Sequence, residues 1–237
     1  VFNKKNLVFL IVGLITTLVV GCTSQGGDVS GNSEENMENV VAKVNDNSIS
    51  TVEYEDLVKM MKSSYESQGV DFNTEEGKTF LDQIQTQAIN SLVQEEVLFQ
   101  EAKEKGFEAS DETVNEQIEA VKSQFPSEEE FSVELEKQNL TEDKYKEMVT
   151  KEIVISEFLQ SEIKEVTISE EELQAAYDQY VDQMKQMAEQ TGEETEIPDF
   201  EDSKEQLEMQ LSQQNQQEQM SKIIEELLEE NEVEIYI

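Results

Sequence analysis

Between Thr74 and Lys105 apolar residues recur four apart at Phe80, Ile84, Ala88 and Leu92 and again at Leu98 and Ala102, with Ile89, Val93, Val97 and Phe99 broadening the stripe. That spacing is the period of an α-helix that buries one face. Gly106 supplies its stop, because a glycine takes the left-handed conformation that ends helices without steric cost. At 1.5 Å per residue such a helix is roughly 45 Å long. A compact bundle has no need of that length, so the stretch commits the chain to an architecture of long helices.

The same period continues on both sides. A helix from Thr51 to about Gln68 carries Tyr54, Leu57, Val58, Met61 and Tyr65, with Gly69 as its stop. Shorter helices are expected over Asp111 to Gln124 (Val114, Ile118, Val121) and Ser127 to Gln138 (Phe131, Leu135), separated by Pro126. Another runs from Glu142 to Lys164 through Tyr145, Met148, Val149, Ile153, Phe158, Leu159 and Ile163. A short extended piece at Val166 to Ile168 leads into a helix through Leu173, Tyr177, Tyr180, Met184 and Met187. Thr191 to Phe200, with Gly192 and Pro198, breaks the pattern. The last helix spans about Glu201 to Asn231, apolar at Leu207 and Leu211 and again at Ile223, Ile224, Leu227 and Leu228. Its glutamine-rich middle, QLSQQNQQEQM, reads as a solvated stretch rather than a glutamine-mediated site. Three Ser-x-x-Glu runs, at Ser50, Ser127 and Ser169, are capping boxes that mark where helices begin.

Strand signals sit only at the two ends of this helical region. In VVAKVNDNSIS, Val41, Lys43 and Asn45 alternate with Ala42 and Val44, Asp46-Asn47 occupies the place of a tight turn, and Ile49 lies in the return strand. Val233 to Ile237 alternates too. An isolated strand is unstable, so this last piece is expected to pair with the Val41 to Ile49 hairpin and join the two ends.

The opening residues have a different character. Lys4 and Lys5 precede an apolar run from Leu7 to Val20 and then Gly21, the three parts of a secretion signal. The run falls short of the roughly 20 apolar residues of a membrane span. Val19-Val20-Gly21-Cys22 resembles a bacterial lipobox, which implies cleavage after residue 21 and lipid on Cys22. An uncleaved anchor helix with an incidental cysteine is the alternative. Cys22 is the sole cysteine, so a lipidated chain has no thiol left for a disulfide. Residues 22–39 are small, polar and acidic, the composition of a flexible tether.

The formal charge is −38, and residues 1–21 hold two lysines and no acids, so the processed chain would carry −40. Such a surface repels nucleic acid and attracts cations and basic polypeptide. Adaptation to a saline or alkaline exterior would produce the same composition. There is no histidine and no arginine. These absences exclude Ser-His-Asp and Cys-His catalytic units, histidine metal ligands and bidentate phosphate clamps. Neither a glycine-rich phosphate loop nor a zinc-ligand cluster is present. No cofactor or metal is expected.

VAKVNDNSIS leading directly into a capped helix resembles the start of the SurA-type chaperone domain, as found in PrsA foldases. The resemblance continues through SLVQEEVLFQEAKEKGFEASDETVNEQI, Ser91 to Ile118, and TISEEELQAAYDQY, Thr167 to Tyr180. It implies a mainly α, elongated multi-helix fold of the SurA and trigger-factor kind over residues 40–237, with a small β-element built from the N-terminal hairpin and the C-terminal strand. Foldases of this family usually insert a parvulin-type prolyl isomerase domain after the helix corresponding to Leu173 through Met187. Here only Thr191 to Phe200 intervenes, and without histidine the parvulin site cannot be carried over.

The expected function is therefore that of a lipid-anchored extracytoplasmic holdase for unfolded or partly folded secreted proteins. It would sit on the outer face of the cell membrane, in a Gram-positive bacterium, without isomerase activity. An envelope scaffold with one dedicated partner and a PrsA-type isomerase by resemblance remain alternatives, and two copies could associate. Met60, Met61, Met148, Tyr177, Tyr180, Met184 and Met187 are the candidate client-binding residues, with Met209 and Met220 beside them, because a thioether repacks against varied shapes. Ordinary core packing is the competing role for each.

Overall fold

The computed structural model describes residues 39–138, 140–191 and 197–237. The expected signal peptide at 1–21, the lipidation site Cys22 and nearly all of the tether lie outside the described residues, as do residues 192–196 of the break. Within the described residues the order is β1 (Val40–Val44), β2 (Asn47–Ser50), α1 (Thr51–Ser67), α2 (Glu75–Glu104), α3 (Asp111–Lys122), α4 (Glu128–Lys137), α5 (Glu142–Glu162), α6 (Glu170–Thr191), α7 (Phe200–Glu230) and β3 (Val233–Ile235). They cluster into two units: one of residues 39–158 with Glu226–Ile237, the other of Leu159–Glu225.

In the first unit the strands form one antiparallel sheet in the order β2-β1-β3. The hairpin turn is Asn45-Asp46, one residue earlier than the sequence pattern indicates. Val44 pairs with Asn47, which leaves only those two residues in the loop, and Asn45 takes the positive φ of 53°. Asparagine tolerates that conformation better than most residues with a side chain. A register shift between Val40 and Ala42 buries consecutive Val41 and Ala42, which strict alternation would not allow. β3 is shorter than the expected Val233 to Ile237, ending at Ile235, although the Tyr236 amide still donates to the Val41 carbonyl at 2.9 Å.

The helices begin and end as their punctuation dictates. At Ser50 both halves of the capping box form: Ser50 Oγ accepts from the Glu53 amide at 3.2 Å and the Glu53 carboxylate accepts from the Ser50 amide at 3.0 Å. Ser127 makes the forward bond alone, from the Glu130 amide. Gly69 (φ 92°) and Gly106 (φ 85°) close α1 and α2 in left-handed conformations. The next amides, Val70 and Phe107, reach back to Tyr65 and Ala102 at 3.1 and 2.9 Å, the long bond of a Schellman motif.

α2 packs on β1, so Ile84, Ala88, Val93, Val97 and Ala102 are buried with Ala42 and Val44. α5 contributes buried Val149, Ile153, Val154 and Phe158. Val114 of α3 joins Val149 and Ile153, and Phe107 meets Phe158 edge-on at 5.9 Å. Phe131 of α4 lies edge-on to Tyr145 at 5.6 Å. Each such side chain contributes about 1.5–3 kcal/mol when fully removed from water. α1 differs: its stripe Tyr54, Leu57, Val58, Met61 and Tyr65 is only half-buried, and no residue of the helix is fully buried.

The second unit is built from the end of α5, the segment to Ser169, α6 and most of α7. Ser169 and Glu172 form a complete capping box. Leu173 of α6 and Leu207 of α7 are buried. Glu170 pairs with Lys204 at 3.0 Å, and Tyr177 lies edge-on to Phe200 at 5.4 Å. The Val166 to Ile168 piece joins no strand. Just before it, the side-chain amide of Gln219 bonds both the amide and the carbonyl of Lys164, each at 2.9 Å. One glutamine of the polar stretch thus does the work of a strand partner, while its neighbours Gln213, Gln214, Gln216 and Gln217 are exposed.

Candidate client-binding surface

A charged cluster fixes the sheet and the start of α1. Glu96 of α2, nearly buried, accepts from Asn47 Nδ2 at 2.8 Å, Gln100 Nε2 at 2.9 Å and Lys151 Nζ at 3.4 Å. Lys151 also reaches Glu95 at 3.2 Å and lies over the Phe99 ring at 5.4 Å. Burial works against the charged ammonium of Lys151, but the Glu95 and Glu96 carboxylates outweigh it and raise its pKa. Burial likewise opposes the ionised form of Glu53, yet hydrogen bonds from Ser50, then Lys144 and Lys151, hold its pKa below the ordinary value. Glu152 goes the other way, raised by burial and by Glu95. The cluster ties β2, α2 and α5 together. Among the described residues no group of three or more His, Cys, Asp or Glu is placed to hold a metal ion.

Around this rigid centre the first unit leaves apolar side chains in solvent. Val52 (64% exposed) and Met60 project from α1, Val133 from α4, Met148 from α5, and Ile235, Tyr236 and Ile237 from the end of the sheet. Met61 follows Met60 but belongs to the half-buried stripe of α1. Met148 precedes buried Val149, so α5 holds its core with one residue and shows solvent the other.

In the second unit Tyr177, Tyr180, Met184 and Met187 are separated by three, four and three residues, so they share one face of α6. Tyr177 is half-buried, packed on Phe200 with its hydroxyl donating to the Pro198 carbonyl at 2.9 Å. Tyr180 and Met184 are half-buried, and Met187 is 57% exposed. Met209 is exposed and Met220 half-buried on α7. Exposure along this face is greatest at Met187.

The SurA-like N-terminal domain model matches residues 2–159, two-thirds of the chain. The chain belongs to that family. Its match ends beside Phe158, where the first segment of the sheet-bearing unit also ends. Two curated relatives are foldase proteins PrsA. The one from Caldanaerobacter subterraneus subsp. tengcongensis is 27% identical over 190 residues, covering 78% of this chain and 55% of the relative. The one from Clostridium botulinum is 24% identical over 188 residues, covering 74% and 54%. The chain thus spans about half the length of the curated relatives it matches. A solved structure from a study of PEB4 and Cj1289, described as structurally related SurA-like chaperones of Campylobacter jejuni, aligns with a TM-score of 0.53. It covers 84% of this chain and 99% of the other at 11% identity, a likeness of fold. The mainly α fold with its small sheet is the SurA-like chaperone fold.

Among the described residues the exposed apolar side chains that sequence reasoning missed are Val52, Val133, Val166, Ile235, Tyr236 and Ile237. For the helical ones a signal was present: Val52 lies off the stripe of α1 and Val133 off the Phe131 and Leu135 stripe of α4, and an apolar residue off its helix's stripe has no core to enter. For Ile235 and Ile237 there was none, since alternation alone cannot say how far along a strand its cover extends. No helix among the described residues is long and apolar enough to cross a membrane.

Proposed function

We propose that this protein is an extracytoplasmic holdase for unfolded or partly folded secreted proteins, tethered by lipid on Cys22 to the outer face of the cell membrane and without isomerase activity. The observation that carries the reading is a SurA-like domain whose surface sets adaptable apolar side chains, Met60 and Met148 among them, within a strongly acidic chain. Exposed apolar groups hold a client's own apolar segments, and charge around them keeps the pair soluble. Basic stretches of a client are drawn toward the acidic surface. The anchor follows from the Lys4 to Cys22 pattern. The non-enzymatic part of the reading is supported by the lack, in these 237 residues, of the histidines that a parvulin-type site uses.

The full chain in mild detergent, mixed at equimolar ratio with three unrelated denatured proteins, tests the reading, with proline isomerisation of a peptide followed alongside. Suppressed aggregation of all three without faster isomerisation is expected. Suppression of none overturns the holdase, and acceleration of isomerisation overturns the non-enzymatic assignment. Mass spectrometry of membrane-extracted protein checks the anchor: a mature chain that begins elsewhere than a diacylglyceryl-modified Cys22 removes it.

A further inference from the structure

The open edge of the sheet carries a more specific role. In an antiparallel ladder, residues that exchange hydrogen bonds alternate with residues whose backbone groups point away from the partner. Here Tyr236 donates to Val41 at 2.9 Å and Asn45 donates to the Glu232 carbonyl at 2.7 Å, while Lys43 stands opposite Glu234. Residues 232, 234 and 236 therefore face β1, and the amides and carbonyls of Val233, Ile235 and Ile237 point outward. Among the described residues no strand pairs with that outer edge. Val233 and Ile235 stand opposite Val44 and Ala42, so their side chains share the face of the sheet that packs on α2. Yet Ile235 is 45% exposed and Ile237 63% exposed, against complete burial of Ala42 and Val44. The apolar face runs past its cover.

We infer that this edge captures an extended client segment by strand addition, a role that rests on the holdase reading and names what the holdase grips. The occupant is a stretch in which apolar residues alternate with lysine or arginine. Its apolar side chains would continue the row of Val233, Ile235 and Ile237. Its basic ones would fall on the opposite face beside Glu232 and Glu234, with Glu229 and Glu230 just before the strand. Main-chain bonds supply affinity without regard to sequence, as a general holdase requires, and the two faces supply the preference. A second copy of the chain fits less well, because two surfaces of formal charge −38 repel.

The test uses a fluorescent twelve-residue peptide of alternating valine and lysine and the full chain in mild detergent, read by anisotropy. A control peptide carries N-methyl groups on every second residue, which removes the amides that would bond the edge. The variant Ile235→Pro deletes one outward amide and spares the ladder to β1, a position where edge strands accept proline. Saturable binding that falls at least tenfold on N-methylation and in I235P is expected. Equal binding of both peptides overturns the edge whether or not the variant folds. If the wild-type chain suppresses aggregation of denatured proteins but does not bind the peptide, the edge falls and the holdase stands. Binding with no suppression upholds the edge and removes the holdase. Self-association in sedimentation that I235P abolishes overturns the client assignment in favour of a second copy.

Discussion

Asn45 and Glu232 exchange two hydrogen bonds across 187 residues of chain: the Asn45 amide donates to the Glu232 carbonyl at 2.7 Å, and the Glu232 amide donates to Asn45 Oδ1 at 3.0 Å. The same side chain donates from Nδ2 to Gln100 at 2.8 Å and to Asn231 at 2.6 Å. One asparagine at a positive φ thus ties the hairpin, α2 and the start of β3. Asn45→Ala loses three side-chain bonds and adds backbone strain, a cost of about 2–3 kcal/mol. Asn45→Gly relieves the strain and loses only the bonds. Urea denaturation should rank wild type above N45G and N45G above or level with N45A; an N45A midpoint equal to wild type refutes the role.

Gly77 sits on the first turn of α2 against the preceding loop. A Cβ there would overlap the Asp71 carbonyl oxygen and lie 2.7 Å from Phe72 Cα, both backbone atoms that cannot swing aside. Gly77→Ala should cost about 1–3 kcal/mol by overpacking. At Gly106 nothing crowds the added methyl, and the positive φ alone should make Gly106→Ala cost about 1–2 kcal/mol. Thermal melts of the two variants check both values.

Glu53 and Glu152 make opposite contributions to stability as pH changes. The pKa of Glu53 is lowered on folding, so its contribution is present above the unfolded carboxyl value, near 4.3, and is lost as pH falls through the folded value. The pKa of Glu152 is raised, so its ionised form weakens the fold at neutral pH. Glu152→Gln should therefore stabilise at pH 7, and the gain should vanish as pH drops below the unfolded value. Glu53→Gln should destabilise at pH 7 and converge with wild type in acid. Denaturation series at pH 7 and pH 3 distinguish these signs.

Met60 and Met187 are exposed, so Met60→Gln and Met187→Gln should change stability by no more than about 0.5 kcal/mol. Removing apolar contact from a client should weaken capture by about fivefold for a side chain half-buried in the complex. Titration of a denatured protein against each variant reads this, and unchanged capture by both would move the client elsewhere on the surface.

Attraction of basic clients to an acidic surface is screened by salt, with a Debye length of about 10 Å at 0.1 M and about 3 Å at 1 M. Capture of a basic denatured protein should weaken between those concentrations while that of a neutral one holds. Affinity for the basic client that is independent of salt would show that charge has no part in it.

The helices were legible because their signals are local. Ser50 with Glu53, Ser169 with Glu172, Gly69 and Gly106 each act within one turn, so their spacing is visible without knowledge of the fold. The turn moved by one residue because Asp46, Asn47 and Asn45 are chemically alike, and only the pairing of Val44 with Asn47 decides among them. Gln219 was illegible for a related reason: its partner is a backbone carbonyl and amide at Lys164, groups every residue carries. Of the candidate site, the α6 face could be drawn from spacing, but the greater exposure of Met187 against the packing of Tyr177 on Phe200 could not.

The sheet imposes an order of events. β1 finds β2 three residues away but β3 only after nearly two hundred more have been made, and closing a loop of that length costs about 4–5 kcal/mol of chain entropy. Contacts so distant in sequence form late and slow the approach to the native state. A nascent chain therefore waits with one edge of β1 unpaired, and all of Leu159–Glu225 must arrive before that edge is covered. For that interval this protein is in the condition of an unfinished polypeptide with an unpaired strand, open along β1 until β3 comes through.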